Sequence, residues 1–179
     1  MNPMQKAVWQ FHDKFGATIG EEPGLRDTRL AALLIMEEAV ETCAAMGYDV
    51  HASIDFHGEP GNPSSQTSKE DPAQTVVQFH KAFEKPDFVE SIDGICDLIF
   101  VAFGAAVRFG IDLTPFFEEV SRANLAKEGG TTRADGKVLK PEGWKPPDHD
   151  RILTKQIESA REWKEMSENF LMNNGTARP

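Results

Sequence analysis

Apolar residues recur at three- and four-residue intervals along most of the chain, a spacing that predicts helices. Val8, Phe11 and Phe15 form one such stripe within 4–15, with Gly16 as its stop. Leu30, Leu33, Leu34, Val40 and Ala44 form the next within 27–46, ended by Gly47. Between 51 and 69 the periodicity fails. Gly58, Pro60, Gly61, Pro63, Thr67 and several serines bury little surface, so an exposed insertion at about 47–70 is expected. Asp71-Pro72-Ala73-Gln74 reads as an N-cap, a first-turn proline and a reciprocal glutamine, opening a short helix to about Glu84 that Pro86 breaks. The stretch 87–109 is the most apolar, with Leu98 to Phe103 uninterrupted. It predicts a helix buried nearly all round; its length, Ala105-Ala106 and the stop at Gly110 disfavour a strand. Thr114-Pro115 opens another helix to about 128, before Gly129-Gly130. A loop or small hairpin with an Asp135-Gly136 turn occupies 131–147, and Asp148 caps a final polar helix to about Leu171. Helices throughout predict an all-α fold with bundle packing: a domain at 1–148 and a C-terminal helix and tail at 149–179.

Composition narrows the function. The 179 residues are 40% hydrophobic and 27% charged, with 19 basic against 29 acidic side chains and a net charge of −10. A chain so acidic opposes binding to nucleic-acid polymers, which rests on neutralising phosphates. No apolar run reaches the roughly 18 residues of a membrane span, and the first 15 residues lack a signal-peptide core, so a soluble cytoplasmic protein is expected. Cys43 and Cys96 lie in predicted helices and read as reduced, buried, small hydrophobes; no Cys/His spacing suggests zinc. The five histidines show no catalytic spacing.

The informative feature is Glu37-Glu38-x-x-Glu41 in an otherwise apolar helix. Residues four apart share a face, so Glu37 and Glu41 stack one turn apart, with Glu38 rotated by about 100°. Asp93 and Asp97 repeat the spacing in the most apolar helix, and Glu90 lies one turn upstream. Two acid pairs can therefore face each other across a helix seam. Like charges at i, i+4 cost roughly 0.2–0.5 kcal/mol per pair, and an acid embedded in an apolar helix costs more unless it is compensated. Basic partners, protonation or a hard divalent cation could supply the compensation. Bases are sparse nearby: Arg29 stands two turns before Glu37 and Arg108 three turns after Asp97. A cation held by carboxylate oxygens is the economical answer, and oxygen ligands favour magnesium or manganese. A di-iron carboxylate bundle is disfavoured because neither helix carries a His three residues after an acid.

Glu37-Glu38-x-x-Glu41, followed by Asp97 leading Leu98-Ile99-Phe100-Val101, resembles the MazG-like all-α nucleoside triphosphate pyrophosphohydrolases. That superfamily includes dimeric dUTPases and phosphoribosyl-ATP pyrophosphohydrolase. The likeness continues through Glu119-Val120-x-x-Ala123-Asn124-Leu125-Ala126-Lys127 and Asp135-Gly136-Lys137-Val138-Leu139-Lys140-Pro141-x-Gly143-Trp144-x-Pro146-Pro147-Asp148, a tail similar to the phosphoribosyl-ATP pyrophosphohydrolase-like branch. The resemblance implies magnesium-dependent hydrolysis between the α- and β-phosphates of a nucleotide. It implies metal ligation by Glu37, Glu41 and Asp97, and a role for Glu38 in orienting or deprotonating the attacking water. The family's second half is Glu-x-x-Asp, but here Gly94 stands three before Asp97, so Asp93 is taken as the replacement ligand, with Glu90-x-x-Asp93 the rival register. Asn124 and Lys127 are candidate substrate-binding groups, as are Lys137 and Lys140 on the loop, with Trp144 either stacking on a base or packing the loop. A homodimer or homotetramer is expected, since so apolar a helix calls for a partner surface. A non-catalytic nucleotide- or metal-binding regulator is the competing class.

Overall fold

The first helix, α1 (Pro3–Phe15), begins where Asn2 Oδ1 accepts the Gln5 backbone N–H at 2.9 Å. It ends where Gly16, at φ 65°, returns its N–H to His12 O. The computed structural model describes residues 1–55, 74–82, 85–133 and 136–173. The further elements are α2 (Thr28–Ala45), β1 (Tyr48–Asp55), β2 (Gln74–Lys81), α3 (Phe88–Arg108), α4 (Thr114–Leu125) and α5 (His149–Asn173). The fold is all-α apart from one antiparallel two-stranded hairpin, in register from Tyr48↔Lys81 to Asp55↔Gln74.

That hairpin corrects two expectations. Residues 51–55 pair as strand, whereas loop was expected, and 74–81 form a strand where a short helix was expected. Thr75, Val76, Val77 and Phe79 are β-branched or aromatic, and a ladder of partners on β1 outweighs a capping signal that lies only at the segment's start. Asp71, Pro72 and Ala73 of that signal, with most of the expected insertion, lie outside the described residues.

The chain divides into two compact units, Met1–Ala31 with Ala102–Pro179, and Ala32–Val101. Every buried apolar side chain among the described residues belongs to the first: Val8, Ala31, Ala105, Ala106, Val107, Ala123 and Ile152. There the link from α3 to α4 is held by two glutamines. Fully buried Gln5 donates from Nε2 to Ile111 O at 2.6 Å and accepts the Leu113 N–H at 3.0 Å. Gln156 of α5 donates to Asp112 O at 2.8 Å and accepts the Asp112 N–H at 3.1 Å. Backbone groups that helix geometry leaves unpaired are thereby satisfied. His12, also buried, donates Nδ1–H to Thr18 O at 2.8 Å. Arg108 is buried at the C-terminal end of α3, and its Nε has no partner among the described residues.

The second unit comprises α2 from Ala32, the hairpin, and α3 as far as Val101. Here α3 is not buried all round: Phe88 is 79% exposed, and Ile92, Ile95 and Ile99 are exposed with it. Leu33, Met36 and Val40 of α2 are exposed as well. Two helices and a ribbon have too few neighbours to enclose so apolar a run. Cys96 is exposed and Cys43 half-buried, against the expectation of buried thiols. Among the described residues no helix is long and apolar enough to cross a membrane.

Candidate active site

In the second unit α2 and α3 approach closely at Thr42 and Gly94. A Cβ at position 94 would lie 2.7 Å from Thr42 Oγ1 and 3.1 Å from Thr42 Cα. Thr42 is buried and donates its hydroxyl to Glu38 O at 2.6 Å. The glycine that interrupts the family's Glu-x-x-Asp spacing therefore has a steric cause: no side chain fits between the helix backbones at 94.

This approach brings the acids of the two helices together. The Glu38 carboxyl is held above its ordinary value of 4.5 first by partial burial, then by the negative fields of Asp97, Glu41, Glu37 and Asp93. Those are the four other acids singled out in the sequence. Asp93 and Asp97 of α3 are thus among the larger charges bearing on Glu38. Asp97 is exposed rather than embedded, as are Glu37, Glu41 and Asp93. No Lys, Arg or His among the described residues forms an ion pair with any of the five. Basic partners thus drop out within those residues, and the four exposed carboxylates are solvated by water. The donor set, all carboxylate oxygen, suits a hard divalent ion. Among the described residues no three of these side chains converge on one point at ligating distance. Four of them are exposed, so their rotamers can change.

A second cluster lies in the first unit, where α4 meets the segment 141–148. At the end of α4 the Lys127 N–H turns to Asn124 O, which takes it away from Ala123 O. Trp144 supplies that carbonyl with a donor, its Nε1–H lying 2.7 Å away. One turn earlier Arg122 forks onto Glu119, with Nε to Oε2 at 2.9 Å and Nη2 to Oε1 at 2.7 Å, and reaches Pro146 O at 3.5 Å. Glu119 Oε1 also accepts the Asp148 N–H at 3.0 Å, and Asp148 caps α5 through the Arg151 N–H. These donors hold the Glu119 carboxyl down at about 2, the Arg122 bond foremost. Residues 119, 122 and 123 of α4 thus carry 148, 146 and 144 of an antiparallel strap.

Sequence reading gave Asp148 its role as the cap of α5, which the Arg151 N–H bond bears out, but assigned no role to Glu119, Arg122 or Ala123, although Glu119 and Ala123 stand in the motif letters that carried the resemblance. The signal was the place of Glu119, Ala123 and Asp148 in two separated motif segments, which touch in space. Trp144 packs the loop, with Lys140 Nζ 4.3 Å from its ring centroid. Lys127 Nζ donates to Asn124 Oδ1 at 2.7 Å. The expected small hairpin exists as a bridge between Thr132 and Val138, with Gly136 at φ 87° in its turn; Asp135 lies outside the described residues. Lys137 is exposed on that hairpin.

The family model for phosphoribosyl-ATP pyrophosphohydrolase matches residues 8–124, well over half of the chain. The chain belongs to the phosphoribosyl-ATP pyrophosphohydrolase family. Within the MazG-like superfamily it is thus of the phosphoribosyl-ATP pyrophosphohydrolase branch, and its domain is a nucleotide pyrophosphohydrolase domain. The matched region contains all five acids and ends at Asn124, so the strap and α5 lie beyond it. No curated protein matches the chain.

Proposed function

We propose that the protein is a magnesium-dependent pyrophosphohydrolase, with manganese as a substitute, that cleaves the α–β anhydride of a nucleoside triphosphate or related nucleotide. Its products would be a monophosphate and pyrophosphate. The observation that carries this reading is Glu38 set among four other carboxylates on two helices, with no ion-pair partner among the described residues. Glu37, Glu41, Asp93 and Asp97 would hold the cation. The chemistry a bound magnesium supplies is neutralisation of charge on the phosphate oxygens as the anhydride opens. Glu38, with its raised proton affinity, would accept a proton from the attacking water, since a base tuned towards neutrality transfers protons more effectively. Asn124, Lys127, Lys137 and Lys140 would contact phosphate or sugar.

The segment 127–145 supports that last role. It holds five basic residues (Lys127, Arg133, Lys137, Lys140 and Lys145) against three acids, in a chain whose net charge is −10. The exposed apolar residues of α2 and α3 support a homodimer or homotetramer, in which a second copy covers what one chain leaves open. A cytoplasmic enzyme is the setting we propose.

The test is product analysis of a panel of deoxy- and ribonucleotides with magnesium. Monophosphate and pyrophosphate in equal amounts, abolished by chelation, are expected. If metal-replete protein releases pyrophosphate from no member of the panel, the reading fails and a binding role replaces it.

A further inference from the structure

Within the second unit, the seam between α2 and α3 carries an inference that rests on the metal-dependent reading above and extends it. The two helices run antiparallel: the Asp87 N–H, just before α3, bonds the carbonyl of Ala45, the last residue of α2, at 2.9 Å. Farther in, Gly94 faces Thr42, where a Cβ at 94 would lie 2.7 Å from Thr42 Oγ1 and 3.1 Å from its Cα. One turn beyond that contact, in both helices, stand Glu38 and Asp97, and Asp97 is the foremost of the charges bearing on Glu38.

Thr42 is shaped for this approach. Its hydroxyl donates to Glu38 O at 2.6 Å, one turn back, and that bond fixes the side chain about χ1. The atoms nearest a Cβ at 94 are then Oγ1, Cα and Cβ, and the Thr42 methyl group lies farther off. An oxygen is smaller than a methyl group, so the α3 backbone comes closer here than it could to a valine. Glycine inside a helix is destabilising relative to alanine, so its place in α3 calls for something gained by closeness. Arm length supplies the gain. The acids of α2 are glutamates, whereas Asp93 and Asp97 of α3 are one methylene shorter. A shorter arm reaches a shared point only from a nearer backbone. Magnesium demands near-ideal octahedral geometry at about 2.0–2.1 Å, so the arms of its ligands must match the helix separation closely.

We propose that Thr42 and Gly94 are positioning residues for the cation. The depth of their contact sets the separation of α2 and α3 to the reach of Asp93 and Asp97, without either residue supplying a ligand.

The test is calorimetric titration of the full chain with magnesium chloride alone, beside thermal denaturation in chelator to show that each variant is folded. Thr42→Val, which puts a methyl group in place of the hydroxyl, should weaken magnesium binding about tenfold, the lower end of what a group supporting a metal ligand is worth. Thr42→Ser, which keeps the oxygen, should bind as wild type does. Asp97→Glu should weaken binding in the wild-type background and strengthen it in the Gly94→Ala background, because a longer arm spans a wider gap. A purely structural contact would produce no such reversal. Should Gly94→Ala fail to fold, the two Thr42 variants decide. Wild-type affinity in Thr42→Val, equal losses in Thr42→Val and Thr42→Ser, or weakening by Asp97→Glu in both backgrounds overturns this proposal and leaves the pyrophosphohydrolase reading standing. If the wild-type protein binds no magnesium, the metal-dependent reading falls and this proposal with it.

Discussion

At Glu38, partial burial and four neighbouring carboxylates all favour the protonated acid. An acid whose folded value is raised imposes no penalty below its unfolded value near 4.5, and the full penalty once pH exceeds the folded value. Glu38→Gln in chelator should therefore match wild type near pH 4 and melt higher at pH 7, as thermal denaturation at the two pH values would register. The same variant should lose turnover while retaining magnesium affinity by calorimetry; equal loss of both would make Glu38 a ligand. Arg108 is the opposite case, a buried guanidinium whose Nε finds no partner among the described residues. Replacing Arg108 by an apolar chain of similar length removes a buried Nε donor left without a partner, a group whose desolvation costs about 1–3 kcal/mol. Arg108→Met should keep or raise the urea midpoint. The acid pairs Glu37–Glu41 and Asp93–Asp97 were legible in the sequence because residues four apart in a helix share a face. The steric need for Gly94 was not, because Thr42 lies about fifty residues away along the chain.

Among the elements, α4 and its strap depend on Glu119, whose carboxyl is held down at about 2 by Arg122 and the Asp148 N–H. An acid whose folded value is depressed contributes stability above its unfolded value of 4.5, and loses it as pH falls towards 2. Glu119→Gln should lower the melting temperature at pH 7, with the gap closing between pH 4.5 and about 2. For α2 and α3, a methyl group at position 94 would meet Thr42 backbone as well as side chain. Gly94→Ala should cost about 1–3 kcal/mol by overpacking and weaken magnesium binding in parallel, since both rest on the same helix approach. Helices were readable from periodicity and capping. The β2 strand was not: a short segment takes its conformation from its partner, and Tyr48–Asp55 supplies a ladder that local capping residues do not foresee.

For the whole molecule, the apolar side chains of α2 and α3 that stand in solvent are the main unsettled surface. A homo-oligomer follows if a second chain covers them. Light scattering after size exclusion should give at least twice the 19.9 kDa chain mass, and Ile95→Asp should shift it to monomer. A wild-type monomer at micromolar concentration would overturn the assembly.

What the sequence determined by itself was whatever depends on near neighbours along the chain: the helices, their caps and stops, and the spacing of the acids, because those follow from repeat geometry. The tertiary structure alone decided that Asp93 and Asp97 bear on Glu38, and that the Trp144 indole is bonded to α4. It also decided that Phe88, Val89, Ile92, Ile95, Ile99 and Phe100 of the most apolar helix stand exposed. Each of these turns on which distant backbone comes close, and a close approach between residues far apart in sequence leaves no periodic trace in the residues themselves.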